Sequence, residues 1–132
     1  MIVVDTSALM AIALGEPGGD ACSLALEQEQ SCLISAVTLA EVLIVAERRG
    51  VEADIVALVD GLGLEVVPVT AASGRAAAAA YRRYGKGLHP AGLNFGDCFA
   101  YALAREQGCP LLFVGEDFAR TDVGRAETSP GG

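Results

Sequence analysis

Met1-Ile2-Val3-Val4-Asp5-Thr6-Ser7-Ala8-Leu9 opens the chain, and its reading decides the fold. A short apolar run containing Ile2, Val3 and Val4 reads as a buried strand. Asp5 stands where that strand ends. Thr6 and Ser7 are good helix caps, which leaves Asp5 free for other work. A helix follows over residues 8–14, closed by Gly15 and Pro17. The opening is therefore a strand running into a helix across an acid.

The same alternation continues. The patterning predicts helices over residues 20–30, 36–49, 51–62, 71–84 and 95–107, and one helical turn over 118–121. Ser35 or Thr38 can cap the 36–49 helix. Strands are predicted over 32–35, 64–69 and 111–114, with a short edge strand over 125–129. Residues 85–93 form a Gly/Pro-rich loop. Strands alternating with helices imply a parallel sheet covered on both faces. The expectation is a single three-layer α/β/α domain over residues 1–132, with a four- to five-stranded, mainly parallel sheet and a loose tail at 130–132.

Three more acids share the setting of Asp5. Glu41 lies within an almost wholly apolar helix, Asp97 opens the apolar segment 95–103, and Asp117 follows the run Leu111-Leu112-Phe113-Val114. An unpaired buried carboxylate costs several kcal/mol. Four of them at the edges or in the middle of apolar segments point to a shared divalent cation bound through oxygen. In sheets of this class ligands bind beyond the carboxyl ends of the strands, where Asp5 and Asp117 both fall. Asp122 is the rival to Asp117 for the fourth position; Asp117 lies nearer the strand end. Hard, oxygen-bound Mg²⁺ or Mn²⁺, as one ion or a pair, points to phosphate-ester chemistry.

Composition narrows the class. The chain has 132 residues, 52% of them hydrophobic, which suits one packed core. No run approaches a membrane span and no leader precedes the first strand, so a cytoplasmic protein is expected. Cys22, Cys32, Cys98 and Cys109 lack metal-binding spacing and read as small buried hydrophobes. The single His89 excludes a Ser-His-Asp set, and no P-loop or Rossmann glycine pattern is present. The net charge of −8 opposes nucleic-acid binding in bulk. Arg82, Arg83 and Lys86 are nonetheless clustered, with Tyr84 among them and His89 just beyond. This patch could grip an RNA backbone, Tyr84 stacking on a base, or could simply be a solvated helix end.

The segments 2–9, 35–42, 93–104 and 111–122, taken in order, resemble the PIN-domain ribonucleases, most closely the VapC-type toxins of bacterial toxin–antitoxin pairs. The resemblance spans nearly the whole chain. It implies a Mg²⁺- or Mn²⁺-dependent endoribonuclease whose acidic quartet is Asp5, Glu41, Asp97 and Asp117. It implies Thr6 or Ser7 as supporting polar groups and Asp122 as an acid assisting through water. It also implies a homodimer neutralised by a cognate antitoxin that inserts a tail near the active site. The groove between helices 36–49 and 51–62 is the expected seat of a partner helix. A catalytically idle RNA- or protein-binding module is the alternative. A dehalogenase-type phosphatase needs an acid at position 7, which is Ser7. A phosphoacceptor receiver needs a lysine after a late strand, and residues 111–118 contain none.

Overall fold

The computed structural model describes residues 1–128; Ser129 and the expected tail at 130–132 lie outside the described residues. The elements run β1 (Ile2–Val4), α1 (Thr6–Leu14), α2 (Gly19–Gln28), β2 (Cys32–Ser35), α3 (Ala36–Arg49), α4 (Glu52–Leu62), β3 (Glu65–Val67), α5 (Ala71–Tyr84), α6 (Phe95–Gln107) and β4 (Leu111–Leu112), followed by a 3₁₀ turn (Phe118–Arg120). The four strands pair in parallel in the order β3-β2-β1-β4. The expected edge strand at 125–129 is a single bridge from Arg125 to Leu111. Leu111 N–H donates to Gly124 and Ala126 N–H donates back to Leu111.

Strands β1, β2 and β4 are short but buried on both faces, and their residues divide by the period of 2, while the edge strand β3 is largely exposed. Ile2, Val4, Cys32, Ile34 and Leu112 point into one core, against α1 to α4. Val3, Leu33, Leu111 and Phe113 point into the other, against α5 and α6. Continuous apolar runs at β1, β2 and β4 are what a doubly covered sheet requires. The layers are therefore α/β/α. Cys22, Cys32 and Cys98 are buried as small hydrophobes, while Cys109 is half-buried. No helix among the described residues is long and apolar enough to cross a membrane.

The strand order places the site. From β1 the chain moves to β2 and β3 on one side, then returns through α5 and α6 to β4 on the other side of β1. The direction of winding reverses between β1 and β4, so their carboxyl ends leave a crevice. Asp5 stands at its floor, its N–H donating to Leu112 at 3.0 Å. The Ser7 hydroxyl spans the crevice and accepts from the Val114 N–H at 3.0 Å.

Helix ends follow local chemistry. α3 ends in Arg48 and Arg49 with Gly50 in the left-handed region, at φ 72°. α1 packs closely on α2 because Gly19 lacks a side chain: a Cβ there would lie 2.5 Å from the Ala11 carbonyl oxygen. Gly19→Ala should therefore destabilise the fold by about 1–3 kcal/mol through overpacking. Urea denaturation checks this, and an unshifted midpoint would contradict the α1–α2 contact.

Candidate active site

Three elements deliver three carboxylates to one point. Asp5 comes from the end of β1, Glu41 from the second turn of α3 and Asp97 from the first turn of α6. One oxygen from each lies within 4.8 Å of the others. Asp5 is buried; Glu41 and Asp97 are half-buried.

Each carboxylate has one oxygen bound by the protein. Asp5 Oδ2 accepts from the Ser7 N–H at 3.0 Å and the Ser7 hydroxyl at 2.7 Å. Asp5 is thus the N-cap of α1, and the expectation that Thr6 and Ser7 would relieve it of that duty is corrected. Both roles coexist because a carboxylate has two oxygens: Oδ1 is buried and has no hydrogen-bond partner. Glu41 Oε1 accepts from the Thr6 hydroxyl at 2.6 Å. Asp97 Oδ2 accepts from the Asn94 N–H at 3.0 Å, and Asn94 Oδ1 accepts from the Asp97 N–H at 2.8 Å, a reciprocal capping box. Thr6 and Ser7 therefore hold two of the three acids in place.

The electrostatics record the crowding. Burial lifts the Asp5 carboxyl to about 6, opposed by the Ser7 hydrogen bonds and reinforced by the charge of Glu41. Burial lifts Asp97 to about 7, opposed by the Asn94 N–H and reinforced by the charges of Asp5, Glu41 and Asp117. A buried acceptor without a donor, inside three converging carboxylates, fits a hard divalent cation such as Mg²⁺ or Mn²⁺.

Asp117 occupies the N-terminal position of the 3₁₀ turn, exposed and making no capping bond. It lies outside the tight triad, yet near enough for its charge to act on Asp97. Asp122 is engaged elsewhere. Its Oδ1 accepts from the Tyr101 hydroxyl, and its Oδ2 pairs with Arg83 at 3.3 Å and Arg105 at 3.7 Å. The Tyr101 hydrogen bond, then Arg105 and Arg83, hold its carboxyl below the usual range.

The basic patch divides. Arg83 turns to Asp122 and over the Tyr84 ring, 4.9 Å from its centroid. Arg82 and Lys86 instead line a groove of about 650 Å³ between α5 and α6, with Tyr81, Asn94, Phe95 and Phe99 among its walls and no acid. Tyr84 is buried, edge-on to His89 and Tyr101, so the expectation of a base-stacking Tyr84 gives way to a core role. His89 Nδ1 accepts from the Ala91 N–H, shaping the loop.

Gly96 is the site residue that the patterning missed. It abuts the Glu41 carboxylate, and its only signal was its place beside Asp97. An open groove of about 400 Å³ lies between α3 and the start of α6, lined by Val37, Ala40, Glu41, Ile44, Val45 and Phe95.

Comparison with known proteins identifies the family. A family model described as PIN domain matches residues 2–124. Ribonuclease VapC30 of Mycobacterium tuberculosis is 44% identical over 127 residues, covering 92% of this chain and 95% of that protein. The crystal structure of Mycobacterium tuberculosis VapC20, described as a sarcin-ricin loop cleaving toxin, superposes with a TM-score of 0.75 at 19% identity, covering 93% of this chain and 96% of that one. A toxin–antitoxin complex from Klebsiella pneumoniae gives 0.70 at 19% identity, covering 92% and 93%. At that identity the two structures speak for the fold alone.

The raised carboxyls predict a pH dependence. Between about 4 and about 7 the folded state binds more protons at Asp5 and Asp97 than the unfolded chain. In chelator, the melting temperature should therefore fall as pH rises through that window. Asp122, shifted down, titrates below it. Asp97→Asn should flatten the fall, and Mn²⁺ should reverse it near pH 7.5; thermal melts across pH 4–8 check all three.

Proposed function

This chain belongs to the PIN-domain family, among its VapC-type ribonucleases, and from that premise we propose a Mg²⁺- or Mn²⁺-dependent endoribonuclease toxin, neutralised by a cognate antitoxin. Its substrate in this reading is a phosphodiester of tRNA or another structured RNA. The observation that carries the proposal is the divided use of the three carboxylates around the unpartnered Asp5 Oδ1. When bound, a divalent cation supplies charge neutralisation, polarisation of the phosphodiester and activation of water.

The chain's own residues have distinct duties. Asp5, Glu41 and Asp97 hold the cation, with Asp117 as the outer fourth acid. Ser7 orients Asp5 and Thr6 orients Glu41, as supporting groups around a metal do. Asp122 has no ligand role in the proposal, because Tyr101, Arg83 and Arg105 occupy it. Arg82 and Lys86 bind the RNA backbone in the acid-free groove beside Asn94. Arg83, paired with Asp122, is left out of that duty.

Partners follow from the same surface. The α3–α6 groove opens beside Glu41, so a polypeptide tail lying in it would cover the cluster. That supports neutralisation by an antitoxin. Ile44 and Phe95, 55% and 72% exposed, add an apolar surface suited to protein partners, including a second copy. A cytoplasmic location accords with this reading.

Asp5→Asn and Asp97→Asn should reduce Mn²⁺-dependent cleavage of RNA to background while the fold is retained. Thr6→Ala should weaken Mn²⁺ binding by about 10–100-fold. Arg82→Ala with Lys86→Ala should weaken RNA binding and make its salt dependence shallower. Cleavage assays, calorimetric Mn²⁺ titration and filter binding at several salt concentrations give the readouts. Undiminished cleavage by the Asp97→Asn protein would defeat the proposal. Mn²⁺ binding without cleavage of any RNA would leave an idle binding module.

A further inference from the structure

Gly96 is the second residue of α6 and is not among the glycines with positive φ. Its backbone therefore gives no reason for glycine, and helix propensity favours alanine there. Other helical glycines, Gly61 in α4 and Gly74 in α5, have nothing within 4 Å of an added Cβ. A Cβ on Gly96 would lie 2.5 Å from Glu41 Oε2, 2.9 Å from Cδ and 3.0 Å from Oε1. Among the described residues, Gly19 and Gly85 are comparably tight, but each meets a backbone carbonyl oxygen at 2.5 Å and 2.4 Å. Gly96 alone meets a carboxylate.

Glu41 cannot simply swing aside and keep its place. The Thr6 hydroxyl holds Oε1 at 2.6 Å, and one oxygen of the carboxylate lies within 4.8 Å of an oxygen of Asp5 and of Asp97. We infer that Gly96 is a positioning residue: its bare Cα makes the slot through which the Glu41 carboxylate reaches Asp5 and Asp97. Any side chain at position 96 expels that carboxylate from the triad and breaks its bond to Thr6. The inference rests on reading the triad as a cation site.

The test is a double-mutant cycle in the full chain, with wild type, Gly96→Ala, Glu41→Ala and the double variant. Mn²⁺ alone is the probe, with free ion followed by electron paramagnetic resonance. Gly96→Ala should lower Mn²⁺ affinity at least tenfold in the wild-type background and less than twofold in the Glu41→Ala background. Equal losses in both backgrounds overturn the inference, as does no loss in wild type. Melting in chelator is the second readout and does not need the cation. There the double variant should melt at or above Glu41→Ala alone, since alanine favours the helix once the carboxylate is gone. A double variant that is unfolded, or melts well below Glu41→Ala, makes Gly96 a packing residue and overturns the inference. A wild type that binds no Mn²⁺ defeats the cation reading, and additive melting shifts in chelator then overturn the contact itself.

Discussion

Three carboxylates converge at the carboxyl rim of the sheet, each with one oxygen held by the protein. Everything at this end of the molecule answers to that crowding. Burial raises the pKa of the Asp5 and Asp97 carboxyls, and the like charges beside them add to the rise. The chain offsets part of the cost by making the acids structural. Asp5 caps α1, Asp97 closes the capping box of α6, and Glu41 takes the Thr6 hydroxyl. Two of these acids stand at helix N-termini, where the macrodipole favours negative charge. These local bonds fix the acids in position without satisfying them, since Asp5 Oδ1 remains without a donor.

The sheet topology makes the convergence possible. Reversal of winding between β1 and β4 opens the crevice, and the Ser7 hydroxyl ties its two walls by accepting from Val114 while donating to Asp5. One hydroxyl thereby couples strand spacing to carboxylate orientation. Substituting it would loosen both, which distinguishes Ser7 from Thr6, whose hydroxyl contacts only Glu41 across the gap. The site is consequently built on strand ends and helix starts rather than on a long loop, and such elements hold a coordination geometry more rigidly.

Much of this was legible in the residues. Apolar runs flanking Asp5, a glutamate inside an apolar helix and an acid opening the 95–107 helix are local anomalies, and burial of a charge is costly enough to make them informative. The strands and helices followed from period and punctuation. What could not be read was whatever depends on packing direction. Arg82 and Arg83 are adjacent in sequence, yet a helix turns them to different surfaces, one to the α5–α6 groove and one to Asp122. Tyr84 went to the core because its ring meets His89 and Tyr101. Asp122 was drawn from the triad by Tyr101 and two arginines, partners distant in sequence. The close approach at Gly96 exists only once α3 and α6 are packed.

Under the proposed function, the charge distribution would let so acidic a chain meet a polyanionic substrate. Net charge is −8, and several cations are already committed: Arg83 and Arg105 to Asp122, Arg120 to the Pro90 carbonyl, Arg125 over the Phe113 ring. Arg82 and Lys86 have no carboxylate partner among the described residues and share an acid-free groove that reaches Asn94, three residues from Asp97. A phosphate backbone meets attraction in that groove and repulsion at the triad. The repulsion persists while the carboxylates carry uncompensated charge, and a proton and a divalent cation are alternative ways to compensate it. Only the cation leaves all three carboxylates ionised. Desolvation makes Asp5 and Asp97 hold protons more tightly, so a proton and a cation compete to relieve the same buried charge.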